Sequence, residues 1–100
     1  MKYTLILGSM LAITACKVAP TPCYSIDKGK TAKLNEEVQF NASCTLDANY
    51  YEWNFGDGSP IAGGITQKHK YTTEGTYAVK LTVKNGKVEA EKTDSLKIEK

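Results

Sequence analysis

Arginine is absent from this chain of 100 residues: all thirteen basic side chains are lysines, set against eleven acidic ones for a formal charge of +2. That removes the planar fork with which proteins grip phosphate in two places, and lysines scattered among glutamates form no basic stripe able to displace counterions. No nucleic-acid partner is expected. A single histidine leaves little material for acid–base chemistry, and the serines and carboxylates are scattered, mostly at exposed strand positions. Asp47, Asn49 and Asp57 fall in loops without the alternating acidic ligands of an EF-hand. The chain is therefore expected to be no enzyme and to hold no metal or cofactor. No apolar run reaches the roughly 20 residues of a membrane-spanning helix. The content that is there, 41% apolar and 24% charged, is that of one ordinary small globular domain.

The first residues read as a targeting signal. Lys2 supplies a short positive region, the stretch Tyr3 to Ala15 is apolar apart from small or hydroxylated side chains, and charge returns at Lys17. The run ends in Ile13-Thr14-Ala15-Cys16, which resembles the lipobox of bacterial lipoproteins. The resemblance implies cleavage before Cys16, acyl chains on Cys16, and a lipid-anchored domain outside the cytoplasm, on the bacterial outer membrane. The expected organisation is a signal peptide over 1–15, a lipidated tether over 16–22 and a folded domain over 23–100. Pro20 and Pro22 make the tether an extended segment outside the core, holding the domain within about 20 Å of its anchor at about 3.1 Å per residue.

With Cys16 acylated, Cys23 and Cys44 remain as a pair in a compartment that permits disulfides. Pairing is the expectation; the alternatives are two free buried thiols or a metal site, and two cysteines with one histidine in no recognised spacing make a poor ligand set. A closed loop of about 22 residues stabilises a fold by about 3 kcal/mol through the denatured chain's lost entropy. So small a domain needs such help.

From Cys23 onward the apolar period is two. Val38, Phe40 and Ala42 alternate with polar residues, as do Tyr51, Trp53 and Phe55, and the clearest strand runs from Thr76 to Lys84 with Tyr77, Val79, Leu81 and Val83 on one face. Asn85-Gly86 follows, the signature of a type I′ hairpin turn. A last strand then returns from Lys87, with Val88, Ala90, Leu96 and Ile98 apolar and a polar middle at Lys92 and Asp94, which predicts an exposed edge or a bulge. With a weaker strand from Thr66 to Tyr71, the pattern gives an all-β antiparallel sandwich of six or seven short strands, centred on Trp53.

One block carries a family resemblance. Tyr51-Glu52-Trp53-Asn54-Phe55-Gly56-Asp57-Gly58-Ser59 resembles the signature of the polycystic kidney disease (PKD) domain, with Asn54 in place of the commoner aspartate; His69-Lys70-Tyr71 and Gly75 to Val83 match the second block at the expected distance. The resemblance implies an immunoglobulin-like β-sandwich over roughly Tyr24 to Ile98. Independently of it, Gly56 and Gly58 suit a turn braced by Asp57, Tyr77 sits where a tyrosine corner bonds back to the chain, and His69 beside Tyr71 is a hydrogen-bonded structural residue. The functional expectation is a membrane-anchored, non-catalytic module that binds a protein or glycan through its loops or through the polar last strand; the alternative is a structural accessory subunit of a larger envelope complex. The anchoring has a direct test. Cys16→Ser releases the domain into the soluble fraction on cell fractionation, and unchanged membrane retention would contradict the lipobox reading.

Overall fold

The structure, a computed structural model, describes residues 18–100. The expected signal peptide and the acylated Cys16 lie outside the described residues. Eight strand segments follow in order: β1 (Ser25–Ile26), β2 (Thr31–Lys33), β3 (Glu37–Asn41), β4 (Tyr50–Asn54), β5 (Ala62–Gly63), β6 (Thr66–Lys70), β7 (Gly75–Asn85) and β8 (Val88–Glu99). They form a three-stranded sheet in the order β1-β3-β6 and a five-stranded sheet in the order β2-β8-β7-β4-β5. The all-β sandwich expected from the alternation is the observed fold. It is not wholly antiparallel, because β2 pairs parallel with the end of β8. That short strand has one buried side chain, Ala32, and so carries almost no period-two signal of its own.

Side-chain alternation explains the two faces. Val38, Phe40 and Ala42 from one sheet meet Trp53, Phe55, Val79, Leu81 and Val83 from the other, all fully or almost fully buried. Trp53 spans the join. Its ring lies 5.3 Å from Tyr24, edge-on, and 5.7 Å from Phe40, while its indole N–H donates to the Gly64 carbonyl at 2.8 Å. A large aromatic with its one polar atom satisfied is the most favourable filling for such a gap. On the outer face of the five-stranded sheet, Thr82 is also buried, flanked in register by Glu52 and Glu91. The Lys80–Glu91 and Lys84–Glu89 pairs run alongside it.

The long hairpin differs from expectation in two respects. Its ladder is unbroken from Gly75↔Ile98 to Asn85↔Val88, so no bulge interrupts the polar middle of β8. Because Asn85 pairs with Val88, the turn residues are Gly86 and Lys87, and only Gly86 has positive φ, at 62°. This is the type II′ pattern, with glycine first, rather than the I′ turn expected of Asn85-Gly86. The shift frees the Asn85 amide, which donates to the Val18 carbonyl at 2.9 Å. Among the described residues β8 meets β2 only over Lys97–Glu99, which leaves Val88 to Leu96 as an edge without a further strand there.

Residues 18–22 also depart from the expected free tether. Pro20 is buried, and Thr21 exchanges two backbone hydrogen bonds with Leu46. Next to them Cys23 and Cys44 are disulfide-bonded across a Cα separation of 5.4 Å, and the Thr45 hydroxyl accepts from the Cys23 N–H and donates to its carbonyl. A segment with two prolines looks extended in sequence, and it is; its neighbours give it partners.

Trp53→Ala lowers the unfolding free energy by about 3–5 kcal/mol, since a cavity adds to the lost transfer energy. Urea unfolding followed by circular dichroism measures it, and a loss below about 1 kcal/mol would deny Trp53 its central place.

Candidate functional site

The conspicuous sequence block folds into a corner at the end of β4. Gly56 has φ 82°, and a Cβ there would collide with the Ala78 carbonyl oxygen on β7, so only glycine lets the two backbones approach. Asn54 accepts the Gly56 N–H at 3.0 Å, which requires an acceptor but no charge. Asp57 is the hub. Its Oδ1 accepts from the Ser59 N–H at 3.1 Å and the Ser59 hydroxyl at 2.6 Å, and its Oδ2 lies 2.6 Å from His69 Nε2. The imidazole stacks on Phe55 at 4.2 Å and meets Tyr71 edge-on at 4.7 Å. Tyr71 in turn donates to the Phe55 carbonyl at 2.8 Å, and Tyr77 donates to the Thr73 carbonyl four residues back, closing the tyrosine corner.

A serine, a histidine and an aspartate in contact invite comparison with a catalytic triad. The order is wrong for one. In a triad the imidazole stands between hydroxyl and carboxylate so that it can take the hydroxyl proton. Here the carboxylate stands in the middle and Ser59 donates to it, which braces a turn and activates nothing. Partial burial alone would raise the Asp57 carboxyl, but the hydrogen bonds from Ser59 and His69 outweigh it and hold the group below its usual range. Burial, then the Asp57 charge, pushes the Tyr71 hydroxyl well up. Sequence reasoning gave Asp57 and His69 their structural roles separately; their pairing across 12 residues is set by β6 and the turn, which no local pattern encodes.

A concave surface lies elsewhere, beside β8. Tyr24, Ile26, Gly29, Lys30, Thr93, Asp94 and Ser95 line a groove of about 480 Å³. Tyr24 fixes its inner wall, donating to the Val79 carbonyl at 2.7 Å and accepting the Asp94 N–H at 3.1 Å, so one hydroxyl ties together directly opposed residues of β7 and β8. Burial, with the Asp94 charge added, pushes that hydroxyl up to about 12, which keeps it a donor at any physiological pH. The opposite wall is a turn: the Gly29 N–H donates to the Ile26 carbonyl, and the Lys30 carbonyl accepts the Lys97 N–H. The result is a cleft lined by a lysine, an aspartate, a threonine and a serine beside Tyr24 and Ile26. Of these residues the sequence drew attention to Asp94, as part of a polar interruption, and to Ser95 beside it; Gly29 and Lys30 come from a turn without period. Along the same edge Lys92 stands on the core-side parity of β8 and pairs with Asp94 at 3.2 Å. A charge so placed resists pairing with a further strand, which favours the groove over strand addition as the docking surface. The Cys23–Cys44 disulfide is not part of the groove lining, and Cys16 lies outside the described residues.

Comparison with known proteins bears on this arrangement. A family model described as the PKD domain matches residues 18–99. The chain is 42% identical over 66 residues to collagenase ColA of Bacillus cereus, covering 60% of this chain and 7% of that protein. It is 33% identical over 84 residues to collagenase ColA of Clostridium perfringens, covering 78% of this chain and 8% of that one. It therefore spans less than a tenth of the length of these relatives. Among solved structures, it superposes with a TM-score of 0.77 and 32% identity on one from a study of carbohydrate-binding modules of the β-sandwich superfamily, over 83% of this chain and 35% of that one. The PKD1 domain of the Vibrio cholerae metalloprotease PrtV matches at 0.67 and 25% identity, over 83% of this chain and all of that one.

The Asp57 hub makes stability depend on acid. A carboxyl held below its unfolded value of about 3.9 contributes stability above that pH and loses it as pH falls through the folded value. Asp57→Asn therefore has a lower urea midpoint than the wild type at pH 6, and the two converge towards pH 2.5. Parallel curves over that range would remove the hub from the account.

Proposed function

The chain belongs to the PKD domain family, and from that premise we propose that it is a non-catalytic binding module carried on the bacterial envelope by acylated Cys16, with the groove beside β8 as its ligand site. One observation carries the reading. The signature block spends Asn54, Asp57, Ser59 and His69 on one another and on the backbone, whereas Lys30, Thr93, Asp94 and Ser95 line a cleft outside the core. A carboxylate, an ammonium and hydroxyls beside apolar side chains suit a hydroxyl-rich ligand, whose polar edge takes hydrogen bonds while a ring face covers apolar surface. The similarity to a carbohydrate-binding module supports a glycan, and the collagenase relatives support an extended polypeptide as the other ligand of the same site. The disulfide is consistent with a location outside the cytoplasm.

Titration of the domain with envelope oligosaccharides, followed by amide chemical shifts, tests this. Shifts concentrate at Gly29, Lys30 and Thr93 to Ser95, and Lys30→Ala with Asp94→Ala weakens binding at least about tenfold, the loss of roughly 1.4 kcal/mol, while the melting point stays within a few degrees. Shifts confined to other surfaces would overturn the site. Co-purification with a fixed membrane assembly and no free ligand would favour the accessory-subunit reading instead.

A further inference from the structure

Three exposed large apolar side chains belong to one end of the sandwich, while a fourth, Ile61, lies by the other end of β4. Leu46 is 61% exposed, Val18 54% and Tyr50 44%. Their positions are fixed by the Thr21 to Leu46 bonds in both directions, by the Asn85 amide bonded to the Val18 carbonyl, and at Tyr50 by pairing opposite Lys84, whose ammonium stands 4.7 Å from the ring centre, and by its hydroxyl donating to the Glu52 carboxylate at 2.9 Å. The Asn49 N–H donates to the Lys84 carbonyl, which ties the Leu46 loop to the same hairpin end. Val18 is only two residues from Cys16, so the extended chain between them spans about 7 Å.

We propose that this end of the domain, presenting Val18, Leu46 and Tyr50, rests on the lipid surface in which Cys16 is anchored. The inference rests on the acylation of Cys16 under the proposed function and adds the orientation that the anchored domain takes. An acyl anchor seven ångströms from a docked strand leaves little freedom to swing, and an aliphatic pair with a tyrosine is the side-chain set that settles at a headgroup boundary. Lys84 is paired with Glu89, so the contact rests on apolar side chains and needs no anionic lipid. It also turns the hairpin loop towards the membrane.

The test uses the full acylated chain in phosphatidylcholine vesicles, with and without bromine on the acyl chains. Two variants each add a second tryptophan: Leu46→Trp in the patch, and Ile61→Trp on an exposed loop beyond the far end of β4. With side chains at an interface buried about 5–10 Å deep, Leu46→Trp emission falls by about half with brominated lipid after the Trp53 signal is subtracted, and Ile61→Trp emission is unchanged. Replacing part of the lipid by anionic phosphatidylglycerol leaves both results as they are. Intact mass is read first. A chain without acyl groups overturns the anchoring and this orientation with it. An acylated chain in which position 46 escapes quenching, or in which both positions are quenched equally, overturns the orientation alone, and escape accompanied by a doubled mass in solution assigns the patch to a second copy.

Discussion

The contact that the rest of the domain depends on is the approach of Gly56 to the Ala78 backbone. Where β4 ends, its chain turns so close against β7 that no side chain fits between them. That closeness sets Phe55 under the His69 ring and brings Asp57 within reach of both Ser59 and the imidazole. It also leaves the Phe55 carbonyl for Tyr71, so the second sheet is bonded to the first at the same corner. Trp53, two residues earlier, then has a fixed place between the sheets. The polar side chains of this corner are consumed in making the fold, so its serine, aspartate and histidine lack the order of a triad.

The groove lies in a region that the corner does not touch. The groove exists because β2 is short: it covers β8 only at the end, and the two sheets separate where β1 stops. An uncovered strand invites association with other chains, and β8 carries Lys92 and Asp94 on its inner parity against that. The same two features therefore open a cleft and discourage the strand pairing that would close it. Tyr24 reconciles them with stability by bonding across Val79 and Asp94 in place of a covering strand.

Most of the fold was legible in the sequence, and the parts that were not share one cause. Period-two alternation found β3, β4, β6, β7 and β8, the composition of the turns found the corner, and cysteine arithmetic found the disulfide. β2 escaped because three residues with one small buried side chain show no period. The hairpin turn lies one residue later than the dipeptide suggests, and the Asn85 amide so freed bonds Val18, a partner 67 positions away. The docking of residues 18–22 and the Asp57–His69 pair are likewise long-range. Local pattern encodes which face a residue takes; it does not encode what waits on the other side of the sandwich. The groove was the least legible feature, since its walls come from an aperiodic loop and from polar residues whose only sequence signal was to interrupt a strand.

The central claim is that the signature block holds the fold while the β8 groove meets the ligand. A photoreactive diazirine side chain installed in living cells, at Ser95 in one strain and at the exposed Pro60 next to the braced turn in another, tests it most directly. On irradiation the account predicts a covalent adduct to glycan or protein from position 95 and none from position 60. An adduct from position 60 with none from position 95 would contradict it.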